Sequence, residues 1–174
     1  MTARGRAQPQ DRLRDEPATD APLHIVLVEP QIPPNTGNVA RLCAATGCAL
    51  HLVEPLGFSI ADRELKRAGL DYWDALDVTV HASLDAFLDA WTGPLWLFST
   101  HALRPYRDAT FTRGDALVFG KETAGLPAAL IAAHGERALR IPMRRGAVRS
   151  LNLSTSVGIV TYAALDALGF PGLA

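Results

Sequence analysis

Residues 141–162 read Ile-Pro-Met-Arg-Arg-Gly-Ala-Val-Arg-Ser-Leu-Asn-Leu-Ser-Thr-Ser-Val-Gly-Ile-Val-Thr-Tyr. The stretch leaves a buried strand at Ile141 and crosses a loop that carries Arg144, Arg145 and Arg149 beside Ser150, Asn152 and Ser154. It then enters an apolar helix opened by polar caps. Those loop side chains suit a polyanion and a polar small molecule, and they stand beside a helix N-terminus whose first backbone N–H groups have no intrahelical partner. Composition by itself equally allows a solvated connection with a good N-cap. The stretches before it decide between the two.

Upstream, strand and helix patterns alternate. Short, almost continuous apolar runs fall at 23–28, 49–53, 78–81, 95–98, 116–119 and 138–141, as expected of strands covered on both faces of a parallel sheet. Pro30 and Pro33-Pro34 force an irregular loop after the first run, and Asn35 or Thr36 can cap a helix that ends near Thr46 before Gly47. A short basic helix opens near Asp62 with Arg63, Lys66 and Arg67. A further helix, capped by Ser83, carries Leu84, Phe87, Leu88 and Trp91 as core packing. Helices over 128–133 and 153–168 complete the pattern. The fold expected is a single α/β domain over 22–174, with a mostly parallel six-stranded sheet flanked by helices. Residues 1–21 mix Arg4, Arg6, Arg12 and Arg14 with Asp11, Asp15, Glu16 and Asp20 and hold almost no large apolar residue, which predicts a disordered N-terminal extension.

With 174 residues the chain is long enough for a sizeable core, and a net charge of −1 argues against coating nucleic acid by bulk electrostatics. Any RNA contact must use a local patch. Cys43 and Cys48 fit neither a disulfide framework nor a zinc site and read as small core residues in a reducing compartment. The five histidines show no metal-ligand spacing, so no metal is expected. No apolar run approaches membrane-spanning length, and the chain reads as cytoplasmic.

Ligands of open parallel sheets bind at the carboxyl ends of the strands, here 29–37, 99–101, 120–127 and 143–150. Gly120 and Gly125 bracket Glu122, so the backbone there can approach a ligand closely. The same spacing also describes a plain turn with Pro127 starting a helix. No Walker A motif, no G-x-G-x-x-G and no Ser/His/Asp set follows any strand. Asn38 and Arg41 lie three apart, on one face near the start of the first helix, where an arginine can clamp a phosphate. The plainer alternative makes Asn35 an N-cap and Arg41 half of a surface ion pair.

Taken together, EPQIPPNTGNVARLCA (29–44), KRAGLDY (66–72), FGKETAGLP (119–127) and IPM…RSLNLS (141–154) closely resemble the TrmL/YibK family. Its members are the tRNA (cytidine/uridine-34) 2′-O-methyltransferases of the SPOUT superfamily. The likeness covers about residues 23–172 and includes the three superfamily motifs in order.

That resemblance implies a deep trefoil knot at the C-terminal end, a departure from the rule that chains are unknotted. It also implies a homodimer, S-adenosylmethionine bound bent within the knot, and the anticodon stem-loop of tRNA as partner, with leucine isoacceptors as substrates. Phe98, Gly120, Ile141 and Ser150 are expected to line the cofactor site with Leu151 and Asn152 nearby, and Arg41, Arg149 and Tyr162 to serve the reaction. Asn35, Asn38, Arg63, Lys66, Arg67, Arg144 and Arg145 are the candidate RNA contacts. A guanidinium gives up its proton only above about pH 12, so Arg41 fits clamping or orienting better than proton abstraction. Glu122 fits a structural acceptor better than a base. The N-terminal extension and a slightly longer, more basic 144–148 loop depart from the family pattern. The rival expectations are a SPOUT 2′-O-methyltransferase acting on another tRNA position or on rRNA, and a SAM- or RNA-binding protein without catalysis.

Overall fold

The computed structural model describes residues 13–14, 20–59, 76–144 and 146–174. In chain order the elements are β1 (Leu13–Arg14), β2 (Leu23–Val28), α1 (Pro33–Thr46), β3 (Ala49–Val53), β4 (Val78–His81), α2 (Leu84–Ala90), β5 (Leu95–Phe98), β6 (Arg104–Pro105), β7 (Asp115–Phe119), α3 (Ala128–Ala133), β8 (Ala138–Arg140) and α4 (Leu153–Ala167). The expected basic helix near residue 62 and most of the expected N-terminal extension lie outside the described residues.

All six expected strands form, and every pairing is parallel, in the order β1-β4-β3-β2-β7-β5-β8-β6. The expected count of six is too low, because β1 and β6 add a two-residue strand at each edge. Segments that short carry no periodic signal, and Pro105 is tolerated at an edge, where its missing N–H is not needed. β2, β3 and β7 are buried at every position, which explains their almost continuous apolar runs. On one face Ile25, Leu27, Leu50, Leu52 and Leu117 pack with Val39 of α1 and Val157 of α4. On the other, Val26, Val28, Leu97 and Val118 pack with Phe87 of α2 and Leu130 of α3.

One helix start differs from expectation. α1 begins at Pro33, with Ile32 in the N-cap position and no side-chain cap, so Asn35 and Thr36 lie inside its first turn and are buried. Proline suits the first helical positions because its missing N–H would be unpaired there anyway. That frees the Asn35 amide for other partners. Gly47 ends α1 in the left-handed conformation at φ 71°. Ser83 caps α2 as expected, and Asn152 supplies the polar cap expected for α4, each accepting from a backbone N–H three residues on. Cys43 and Cys48 are buried and unpaired, and burial pushes both thiols up. After β8 the chain turns back, so that α4 packs against α1, β2 and β7.

The sheet also gathers three of the histidines that look scattered in the sequence. His24 Nδ1 lies 2.9 Å from His51 Nε2, and His51 Nδ1 lies 3.0 Å from His81 Nε2, a row across β2, β3 and β4 beneath Phe87 and Trp91. Burial, with the two neighbouring rings adding to it, lowers the His51 pKa from 6.5 to about 3. Burial lowers His24 and His81 too, with Asp77 opposing the shift at His24. A folded-state pKa below the unfolded one means that the unfolded chain takes up the proton first. The stability is therefore complete above about pH 6.5 and is lost as pH falls toward 3. At pH 5 His51 alone is expected to remove about 2 kcal/mol. Guanidinium unfolding at pH 7.5 and pH 5 checks this, and equal midpoints would contradict it. Among the described residues no group of His, Cys, Asp and Glu is arranged to hold a metal ion.

Candidate active site

The carboxyl ends of β2, β7 and β8 are joined by one hydrogen-bonded chain centred on Glu122. Its carboxylate accepts from Gln31 N at 2.8 Å, from Ile32 N at 3.2 Å and from Asn35 Nδ2 at 3.0 Å. Asn35 Oδ1 in turn accepts from Asn152 Nδ2 at 2.9 Å. Asn152 Oδ1 accepts from Ser154 Oγ at 2.8 Å and from Thr155 N at 3.2 Å, closing the N-terminus of α4. Glu122 is committed to two backbone N–H groups and the Asn35 amide, which suits a fixed acceptor and not a base waiting for a proton. Asn35, expected as a cap or an RNA contact, is the buried link between the first and last loops.

Gly120 is needed for a reason other than ligand approach. A Cβ there would meet Gly125 C at 2.0 Å and Leu126 N at 2.2 Å. Residues 120–126 thus fold back on themselves, with Gly125 N donating to Lys121 O at 2.8 Å and Gly125 in the left-handed region at φ 70°. The 29–35 loop is held from its other side as well. Glu29 has a left-handed backbone at φ 50°, which disfavours a residue with a Cβ, and its carboxylate pairs with Lys121 Nζ at 2.6 Å. Gly57 N donates to Pro30 O at 2.9 Å, and a Cβ on Gly57 would stand 2.7 Å from Gln31 Cα.

The other expected cofactor residues surround this junction. Phe98 is buried and stacks on Phe119 at 4.7 Å and 13°, beside Gly120. Ile141 packs against the same apolar cluster, Leu151 is half-buried, and Ser150 is exposed next to Arg149. An open cavity of about 520 Å3 lies at these strand ends, bounded by Val28, Glu29, Ser99, His101 and Lys121 and by residues 124–128 of the loop into α3. Its Ser99 and Lys121 directly follow Phe98 and Gly120, although none of the six expected cofactor residues lines it.

Asn38 and Arg41 are exposed on α1, as a shared helix face requires, and Arg144 and Arg149 are exposed on the loop before α4. Tyr162 is 49% exposed on α4, its ring 6.2 Å from Phe170. Arg63, Lys66, Arg67 and Arg145 lie outside the described residues. Gln31, Thr123, Glu29 and Lys121 are the participants that sequence reading missed, since no spacing rule relates loops more than 90 residues apart.

The comparisons with known proteins agree with this arrangement. The SpoU rRNA Methylase family matches residues 22–162. A tRNA (cytidine(34)-2′-O)-methyltransferase of Saccharophagus degradans is 47% identical over 151 residues, spanning 86% of this chain and 97% of that one. A solved structure described as giving structural insights into the 2-OH methylation of C/U34 on tRNA has a TM-score of 0.80 at 46% identity, over 84% of this chain and 96% of that one. The SpoU methyltransferase AviRb of Streptomyces viridochromogenes, solved in complex with AdoMet, has a TM-score of 0.71 at 25% identity, over 90% of this chain and 60% of that one. With a family match across most of its length, and its motifs meeting at one set of strand ends, the chain belongs to the SpoU rRNA methylase family.

Proposed function

We propose that the chain transfers the methyl group of S-adenosylmethionine to the ribose 2′-hydroxyl of the wobble nucleotide, C or U at position 34, of tRNA. The observation that carries this reading is the Glu122–Asn35–Asn152 chain, which ties the start of the Arg41 helix to the loop after β7 and to the end of the Arg149 loop. The relative named for cytidine-34 methylation, identical at nearly half of its aligned positions, supports the wobble target.

The residues present fit the methyl donor. The stacked Phe98 and Phe119 rings, with Ile141, offer an apolar wall to a flat purine, and the strand-end backbone at Gly120 and Ile141 offers hydrogen bonds. S-Adenosylmethionine brings a sulfonium methyl that is already activated, so the protein's task is alignment and help with the 2′-proton. Arg41 is assigned to clamping the adjacent phosphate and orienting the hydroxyl, Ser150 to a hydrogen bond with the donor, and Arg149 and Tyr162 to the RNA side. Asn38, Arg63, Lys66, Arg67, Arg144 and Arg145 are assigned to phosphates of the anticodon stem-loop. Leu151 and Asn152 are assigned to the rim of the donor site.

The return of α4 from β8, which lies beyond β5 in the sheet, onto α1, β2 and β7 supports a trefoil knot at the C-terminal end. A homodimer would present the RNA surface, and the exposed Ile159 of α4 suits a protein interface. No helix of the described residues is long and apolar enough to cross a membrane, which suits a cytoplasmic tRNA enzyme.

The test is incubation with labelled methyl donor and total tRNA, followed by nuclease digestion and mass spectrometry. Label on ribose 34 is the expected result, and the labelled tRNAs identify the isoacceptors. Absence of label would overturn the enzymatic reading, whereas label at another nucleotide or in rRNA would overturn the wobble assignment alone.

A further inference from the structure

Three consecutive residues of the 120–126 loop each hold the 29–35 loop. Lys121 Nζ pairs with Glu29 Oε2 at 2.6 Å, and Glu122 accepts from the Gln31 and Ile32 backbone and from Asn35. Thr123 donates twice to the single oxygen Gln31 Oε1, from Oγ1 at 2.7 Å and from its backbone N at 3.3 Å. The third of these contacts differs from the other two. The first is an ion pair, and the second is shared with the bond to Asn152. The Thr123–Gln31 contact is neutral and exposed, and it involves no residue expected to touch the methyl donor or RNA. Exposed neutral hydrogen bonds contribute little to folding, so the contact is poor material for stability alone.

Its position bears on function. Gln31 lies one residue before the cap of α1, the helix that carries Arg41, and its Cα is packed against Gly57, so it cannot retreat. Thr123 belongs to the loop that begins at Gly120, beside the stacked Phe98 and Phe119 rings. A tether between these two points fixes the N-terminus of α1 relative to the strand ends where the donor methyl is expected. Misplacement of about 1 Å between reacting groups is enough to lower a rate by about 10²-fold.

We infer that Thr123 and Gln31 are a positioning pair that holds the Arg41 helix in register with the methyl-donor loop. This rests on the proposed methyltransferase reading. Thr123→Val removes only the hydroxyl and keeps the shape and the backbone N–H. The variant is expected to lose about tenfold in kcat for tRNA methylation, while the calorimetric dissociation constant for S-adenosylmethionine and the KM for tRNA each stay within about twofold. Thr123→Ser restores the hydroxyl and is expected to recover most of kcat, which a purely steric role for the side chain would not produce. Gln31→Ala, which removes the acceptor, should match Thr123→Val, and the double variant should be no worse than either.

An unchanged kcat in Thr123→Val would overturn the proposal, as would failure of Thr123→Ser to rescue. A donor affinity that falls in step with kcat would also overturn it, by making Thr123 part of the donor site. The unmodified protein is measured in the same assay, so failure of the methyltransferase reading itself shows separately, as no transfer by the parent chain.

Discussion

Arg41→Ala is expected to lower methyl transfer to tRNA by about 10³-fold, with S-adenosylmethionine affinity within about twofold of the parent. The expectation follows from where the side chain stands. Arg41 is on the exposed face of α1, three residues from Asn38, whereas the residues assigned to the donor lie at the end of β5 and on the loops after β7 and β8. A planar guanidinium offers paired donors to a phosphate. That clamp acts on RNA and on the oxygen that attacks, so its loss should appear in turnover and not in donor binding. Arg41→Lys keeps the charge but not the paired geometry, and should recover only a small part of the rate. Single-turnover methylation together with donor calorimetry measures both quantities. A fall in donor affinity equal to the fall in rate would move Arg41 to the donor site, and an unchanged rate would remove it from the reaction.

The parts of this molecule that sequence reading found are those in which one local rule acts alone. Strands covered on both faces are apolar at almost every position, and β2, β3 and β7 are, with one buried polar residue each in His24, His51 and Asp115. Ser83 was found as a cap because a short oxygen-bearing side chain before an apolar helix has one good partner, the N–H three residues on. Asn35 was misplaced because two local rules competed. Pro33-Pro34 can end a loop or start a helix, and in the structure it starts one, which turns Asn35 from a cap into an inward hydrogen-bonding group.

What stayed illegible is the set of contacts whose partners are set by topology. Asn35 and Glu122 are 87 residues apart, and Asn152 and Asn35 are 117 apart. Only the order β2-β7-β5-β8 and the return of α4 bring their loops together. The histidine row has the same origin. Each ring comes from a different strand, so the row exists only once β2, β3 and β4 are neighbours in their observed register. The family likeness singled out Asn35, Gly120 and Asn152, but not the way in which Glu122 and Asn35 link them.

Gly120→Ala tests that holding most directly. The backbone of Gly120 is not in the left-handed region, so its requirement is for space alone. An added methyl group would lie 2.0 Å from Gly125 C, 2.2 Å from Leu126 N and 2.4 Å from Gly125 O. All three are backbone atoms of a loop closed by the Gly125–Lys121 hydrogen bond, so no side chain can rotate out of the way. The loop must open by roughly an ångström, which is expected to destabilise the fold by about 3 kcal/mol, the upper end of overpacking effects. Opening it also moves Glu122 away from Gln31 N, Ile32 N and Asn35, leaving donors without their acceptor. Donor affinity should therefore fall with stability, unlike in Arg41→Ala. Gly158→Ala is the matched control. A Cβ at that position on α4 meets nothing within 4 Å, and alanine in a helix interior is expected to raise stability by roughly 0.5–1 kcal/mol. Chemical denaturation of the two variants should thus move in opposite directions. If Gly120→Ala unfolds at the parent midpoint and binds the donor normally, residues 120–126 are not locked, and the junction centred on Glu122 does not depend on that loop's closed form.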